Sequence, residues 1–184
     1  MTTPITAYDV SIDLHLRGLR ALQQILAKAA SHPSAATFPG AKLQGCDDMM
    51  PFAFHVQSCA NIAQGGLERL VPATQPAGSE QAGAGLDESA AALEQLVARV
   101  GAVIDLLEKG AGPEDLRGVE GKRIELRYGE RSIWWDGRGY ILGYGIPNFM
   151  FHLCMAYSIL RSVGVDVGKM DYLGAFMEGM TLAD

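Results

Sequence analysis

Asn148 and His152 stand one helical turn apart in an otherwise apolar run from Pro147 to Gly164. Counting back from Ile159 at spacings of three and four gives Met155 and Ala156, then His152, then Asn148. Both polar side chains therefore fall on the face that a helix would turn towards a core. His55 lies between Phe52 and Cys59 at offsets of three and four, so it points to the same interior or its margin. Imidazoles in such places can satisfy one another and nearby amides as a buried hydrogen-bonded cluster, in which Asn148 and His152 pair across one turn and His55 joins them or faces solvent. They can also move protons near neutral pH, with Tyr157 or Gln57 as the polar neighbour of His152. The cluster is the simpler account. No Ser-His-Asp order, nucleophile elbow, phosphate loop, HExxH or paired-cysteine motif accompanies these residues.

Four amphipathic segments must position them. The first is predicted over about Thr6 to Ala30, with Tyr8, Ile12, Leu16, Leu19, Leu22, Leu26 and Ala29 on one side and Asp9, Asp13, Arg17, Arg20 and Lys28 on the other. His15 sits at the edge of that stripe and reads as a half-buried helix residue, not a ligand. His32-Pro33 closes the segment, because the residue before a proline avoids the helical region. A second helix is expected from about Asp48 to Leu70, capped by Asp47 or Asp48, with Phe52, Val56, Cys59, Ala63, Leu67 and Leu70 inward. Residues 72–86 are rich in Pro, Ala, Gly and Gln and read as a mobile linker. A third helix is expected from about Asp87 to Lys109, burying Leu93, Leu96, Val100, Val103 and Leu107.

The period then switches to two. Ile124–Tyr128 and Ser132–Trp135 read as short strands around Gly129-Glu130, a pair suited to a tight hairpin. Trp134 and Trp135 are expected to cover the bundle as a flap. Residues 136–145 lead through a helical turn into the helix that carries Asn148 and His152, which Pro147 begins and Gly164 ends. Beyond it, Tyr172 and Leu173 should pin the chain to the body, with 175–184 a loose tail. The whole reads as one all-α domain over residues 1–184, a four-helix bundle with a small β-hairpin inserted before the last long helix.

Composition narrows the function classes. The chain has 184 residues, 48% of them hydrophobic and 20% charged, enough for one substantial core. A formal charge of -6 without Lys/Arg clusters argues against a nucleic-acid partner. The uncharged stretch from Gly139 to Leu160 carries Pro147, Asn148, His152 and three glycines, so a buried helix accounts for it better than a membrane span. Cys46, Cys59 and Cys154 have no metal-ligand spacing and read as small hydrophobes in or next to apolar helical segments. With no basic-then-apolar leader at the start, this fits a reducing cytoplasm.

The run Pro147-Asn148-Phe149-x-Phe151-His152, then Ala156-Tyr157-x-Ile159-Leu160-Arg161-x-x-Gly164 and Lys169-x-Asp171-Tyr172-Leu173-Gly174, resembles an uncharacterised bacterial and fungal family within the DinB-like four-helix bundles. Tyr8-Asp9 and Met50-Pro51-x-x-x-x-Val56-Gln57 fit the same family, so the resemblance covers nearly the whole chain. It implies the bundle fold, a tendency to form homodimers and kinship with metal-dependent transferases and isomerases. In those relatives a His of the second helix meets a His-x-x-x-His pair on the last. Carried over by position, His55 and His152 would be the metal ligands, for zinc or nickel, and Asn148 stands where the third imidazole would be. An amide oxygen is a poor ligand for either metal. The expectation is therefore a small-molecule pocket around His55, Asn148, His152, Gln57 and Tyr157 with a degenerate metal site. A Zn- or Ni-dependent transferase or hydrolase, and a non-catalytic dimer with Phe149, Phe151, Trp134 and Trp135 at its interface, are the alternatives.

Overall fold

The structure is a computed structural model that describes residues 4–71, 92–128 and 131–180. Four long helices form the bundle: α1 (Ile12–Ala30), α2 (Phe52–Leu70), α3 (Leu93–Gly110) and α5 (Ile146–Ser162). A hairpin of β1 (Arg123–Tyr128) and β2 (Arg131–Asp136) precedes a short turn, α4 (Gly137–Gly139), and a π-helical stretch, Tyr140–Gly145, that runs straight into α5. A short α6 (Lys169–Leu173) and a 3-10 turn, Gly174–Met177, follow. The all-α bundle with its inserted hairpin is thus as expected. No helix among the described residues is long and apolar enough to cross a membrane.

The connectivity is not plain up-and-down. α1 packs chiefly against α3, and α2 lies against both α3 and α5. The segment from α1 to α2 therefore passes over the bundle, where the 3-10 turn Ala35–Gly40 buries Phe38 and Pro39. One continuous core runs from Ile12 to Val167 and draws on every long helix.

Helix starts differ from the sequence expectation for local reasons. α1 begins at Ile12, not Thr6; residues 7–11 form turns, in which the N–H groups of Ser11 and Asp13 both bond the Tyr8 carbonyl, at 3.2 and 3.1 Å, in place of a regular helical ladder. α2 begins at Phe52, with neither Asp47 nor Asp48 as its cap. Pro51 excludes Met50 from the helical region, so the helix starts only after the proline. The predicted 72–86 linker, the Asp87 cap, the Gly129-Glu130 turn and residues 181–184 lie outside the described residues.

α5 ends as expected, at a left-handed Gly164 with φ 93°. The Val165 N–H reaches the Leu160 carbonyl at 3.0 Å and the Gly164 N–H reaches that of Arg161 at 3.3 Å, which closes the helix in a Schellman arrangement. Its buried face, however, is Phe149, Leu153, Ala156, Ile159 and Leu160. Asn148 and His152 lie half-buried at the margin. A helix apolar on nearly all sides does not announce which side goes inward; here the larger hydrocarbon side chains take the core.

In the hairpin Ile124 pairs with Trp135 and Glu125 with Trp134. Ile124 and Leu126 are buried, and Trp135 lies half-buried against the rings of Tyr140 and Tyr144. Trp134 turns outward instead, under the Arg123 guanidinium at 3.5 Å. After α5 the chain is strapped to α1. Lys28 bonds the Asp171 carboxylate at 2.8 Å and the Asp166 carbonyl at 3.0 Å, and Arg17 reaches the carbonyls of Phe176 and Glu178 at 3.3 Å.

Candidate functional site

His55 stands in the first turn of α2 and is only 2% exposed. His152 stands in the middle of α5. Small residues on the buried face of α2, among them Cys59, Ala60 and Ala63, let the two helices approach closely. The Cys59 thiol lies 3.9 Å from the Phe149 carbonyl of α5. Across that seam the two imidazoles meet, Nδ1 to Nδ1, at 2.9 Å.

Such a contact is a hydrogen bond only if one ring carries the proton on Nδ1 and the other has a bare Nδ1. The surroundings favour that neutral state. Burial lowers the pKa of His55, with the backbone of Met50 working the other way. Burial also lowers His152, to about 4, and proximity to His55 lowers it further. Both rings are therefore uncharged at neutral pH. His55 Nε2 is buried and meets no hydrogen-bond partner in proper geometry.

Phenylalanines surround the pair. The Phe54 ring lies 5.6 Å from each imidazole, and the Phe151 ring lies 6.1 Å from His55 and 5.2 Å from His152. Phe151 is 52% exposed. Phe54 escaped the sequence reading because it lies off the apolar stripe; its position next to His55 was the available signal.

The other expected residues are not drawn into this hydrogen-bonded unit. Asn148 makes no hydrogen bond to either histidine, and His152 pairs with His55 instead of with its own-helix neighbour. Gln57 is buried on α2, two residues from His55 and so on the other side of that helix. Tyr157 directs its hydroxyl to the Val167 carbonyl at 3.5 Å and stacks edge-on against Tyr172. Phe149, one of the expected interface aromatics, is fully buried in the core.

The residues present do not make a complete metal centre. Among the described residues no three His, Cys, Asp or Glu side chains come together. The Asp13 carboxylate of α1 is paired with Arg17 at 2.7 Å and supplies no further ligand. The 2.9 Å separation of the two Nδ1 atoms suits a shared proton. Two nitrogens on a tetrahedral zinc, each at about 2.0–2.1 Å from the metal, stand roughly 3.3 Å apart. As it stands, the pair can donate and accept hydrogen bonds and can take up a proton, and it does so next to an apolar rim.

A third histidine departs from expectation. His15 is not half-buried but 3% exposed, and its ring lies 4.7 Å from that of Phe149. Burial lowers its pKa to about 4, against a smaller opposing effect of the Gly145 backbone. Neither ring nitrogen has a hydrogen-bond partner in proper geometry. Its offset of three from Ile12 and four from Leu19 was the signal that it lies inside. The cysteines divide too: Cys59 is buried, with its thiol pKa pushed up by that burial, whereas Cys154 is exposed and sits 3.4 Å from the Tyr172 hydroxyl.

Comparison with known proteins agrees with this architecture. The crystal structure of a DinB family member protein from Shewanella denitrificans superposes with a TM-score of 0.76 and is 26% identical, over 96% of this chain and 95% of that one. No curated protein matches the chain. The sequence profile of a domain of unknown function, DUF1993, matches residues 7–173, the four bundle helices and the hairpin included. The chain belongs to the DUF1993 family, on a DinB-like four-helix bundle.

Proposed function

We propose that this protein binds a small molecule, without a metal, at the seam between α2 and α5, with His55 and His152 as its polar anchor. The observation that supports this reading is the neutral imidazole pair, joined at 2.9 Å beside an exposed phenylalanine. The pair keeps part of the His152 ring at the surface, where a ligand could reach it. Binding sites combine a few convergent polar groups with apolar walls, and Phe54 and Phe151 would be those walls here. The ligand class that fits is a flat, largely apolar molecule with a neutral head able to donate and accept hydrogen bonds. A charged head would meet no countercharge from two neutral rings.

The experiment is to follow the ring-proton resonances of the histidines while screening a library of such fragments. Binding at the seam moves the signals of His55 and His152 together and leaves His32 in place; His152→Ala abolishes the response. If no fragment moves either ring, the reading fails. Zinc and nickel titrations belong in the same series. Uptake of either metal at the two rings would replace this reading with the metal-dependent one.

Self-association is the second reading, favoured by the exposure of Phe151 (52%) and Trp134 (46%). Sedimentation at micromolar concentration tests it. A dimer that Phe151→Ser or Trp134→Ser dissociates supports it, and a monomer overturns it.

A further inference from the structure

The two paired imidazoles differ in what their outer nitrogens meet. An imidazole nitrogen has a single in-plane direction in which to give or accept a hydrogen bond. Nδ1 of His55 uses that direction on His152, at 2.9 Å. Its Nε2 is buried away from water. The other polar group at the His55 ring is the Met50 backbone, whose hydrogen bond favours a proton on the ring. A carbonyl acts in that sense, because it can only accept. Nε2 of His55 is therefore the nitrogen that carries hydrogen, given to the Met50 carbonyl loosely and not in line. A neutral ring has one N–H only, so Nδ1 of His55 is bare and accepts, and His152 gives from its own Nδ1. Nε2 of His152 is left without hydrogen. His152 is half-buried, and its Nε2, unlike that of His55, is not closed off from solvent.

We propose that the Met50 carbonyl, His55 and His152 form a one-way hydrogen-bond chain that presents a bare, accepting Nε2 of His152 at the surface, and that the molecule bound there is a planar aromatic carrying a neutral hydrogen-bond donor, a phenol or a ring N–H. The ligand class rests on the reading of the α2–α5 seam as a binding site, and narrows it. Of the two polar roles open to a ligand's head, only donation meets a partner at His152. Ethers, ketones and N-methylated rings bring lone pairs alone, which would face the lone pair of Nε2. Carboxylic acids have lost their proton at neutral pH and would set a charge against two uncharged rings. The direction of the chain is fixed from inside. Reversing it would turn the Nε2 lone pair of His55 against the Met50 carbonyl oxygen, two acceptors facing each other away from water. The walls suit a flat ring, since Phe54 and Phe151 stand with ring centroids 5.6 and 5.2 Å from that of His152.

Two measurements on the unmodified full chain test this. Long-range proton–nitrogen correlation spectra at pH 7 read which nitrogen of each ring carries hydrogen, a state that heavy-atom positions do not fix. The expected pattern is hydrogen on Nε2 of His55 and on Nδ1 of His152. The reverse pattern, or averaging between the two, overturns the proposal. Phenol against anisole, and indole against N-methylindole, then read the ligand class through the ring signals of His152. Each pair has nearly the same shape and apolar area and differs in the donor. Phenol and indole should bind about tenfold more tightly than their methylated partners. Equal affinity within either pair overturns the donor requirement. If none of the four binds while the tautomers are as expected, the seam is not a binding site for such molecules, and the ligand class falls with the reading it rests on. If phenol binds and the tautomers are reversed, binding at the seam stands and the direction of the chain falls.

Discussion

His55 and His152 share one hydrogen bond between like atoms, Nδ1 to Nδ1 at 2.9 Å, so the two rings must hold opposite tautomers. Each therefore fixes the protonation pattern of the other. Replacing His152 by Ala leaves Nδ1 of the almost fully buried His55 without its partner. That should lower stability by about 1–3 kcal/mol, the cost of an orphaned buried polar group. The double variant His55→Leu/His152→Ala should recover part of the loss, because it removes the orphan as well. Urea unfolding of the wild type, the single variants His152→Ala and His55→Leu, and the double variant checks both statements, and additive losses would show that the pair is not coupled.

Stability should fall in mild acid, and the sign follows from the buried histidines. The folded-state pKa of His15 is lowered from 6.5 to about 4. Below 6.5 the unfolded chain takes up a proton that the folded protein refuses. The stabilisation is thus complete above pH 6.5 and is lost as the pH falls towards 4. For His15 alone this amounts to on the order of 3 kcal/mol; His152 and His55 act in the same direction. Urea midpoints measured between pH 7 and 4 should fall steeply, and less so for His15→Leu. Parallel curves would show that His15 does not titrate as a buried base.

Two glycines should respond oppositely to alanine. Gly101, inside α3, has nothing within 4 Å of where a Cβ would go. Gly101→Ala should raise stability by about 0.5–1 kcal/mol through helix propensity alone. At Gly137 a Cβ would overlap the Val119 backbone carbonyl, which cannot turn aside as a side chain can. Gly137→Ala should cost about 1–3 kcal/mol and loosen the turn between the hairpin and the π-helical stretch. Thermal denaturation of both variants gives the comparison.

The thiols should react in order of exposure. Cys154 is exposed, Cys46 intermediate and Cys59 buried with a raised pKa. A thiol reagent at pH 8 should modify Cys154 first and Cys59 only on unfolding. Early labelling of Cys59, read by peptide mass spectrometry, would contradict the packing of α2 against α5.

The sequence alone determined the elements. Spacings of three and four drew the stripes of α1, α2 and α3, the change to period two located the hairpin, and Pro147 and Gly164 marked α5 almost to the residue. These are properties of short stretches, and short stretches carry them whatever surrounds them. The PNFxFH run and its partners were also enough to point to the family. Which face of α5 turns inward was decided only by tertiary packing, because its residues are apolar on nearly every side and Phe149 and Leu153 took the core in place of Asn148 and His152. The same holds for the histidines. Spacing put His55 and His152 near one interior, but whether His152 bonds Asn148 on its own helix or His55 on another depends on how closely α2 and α5 approach. The depth of His15 likewise depends on Phe149 and Gly66, which come from helices far away in the chain. Distances between elements are set by the summed packing of all of them, and no local pattern encodes that sum.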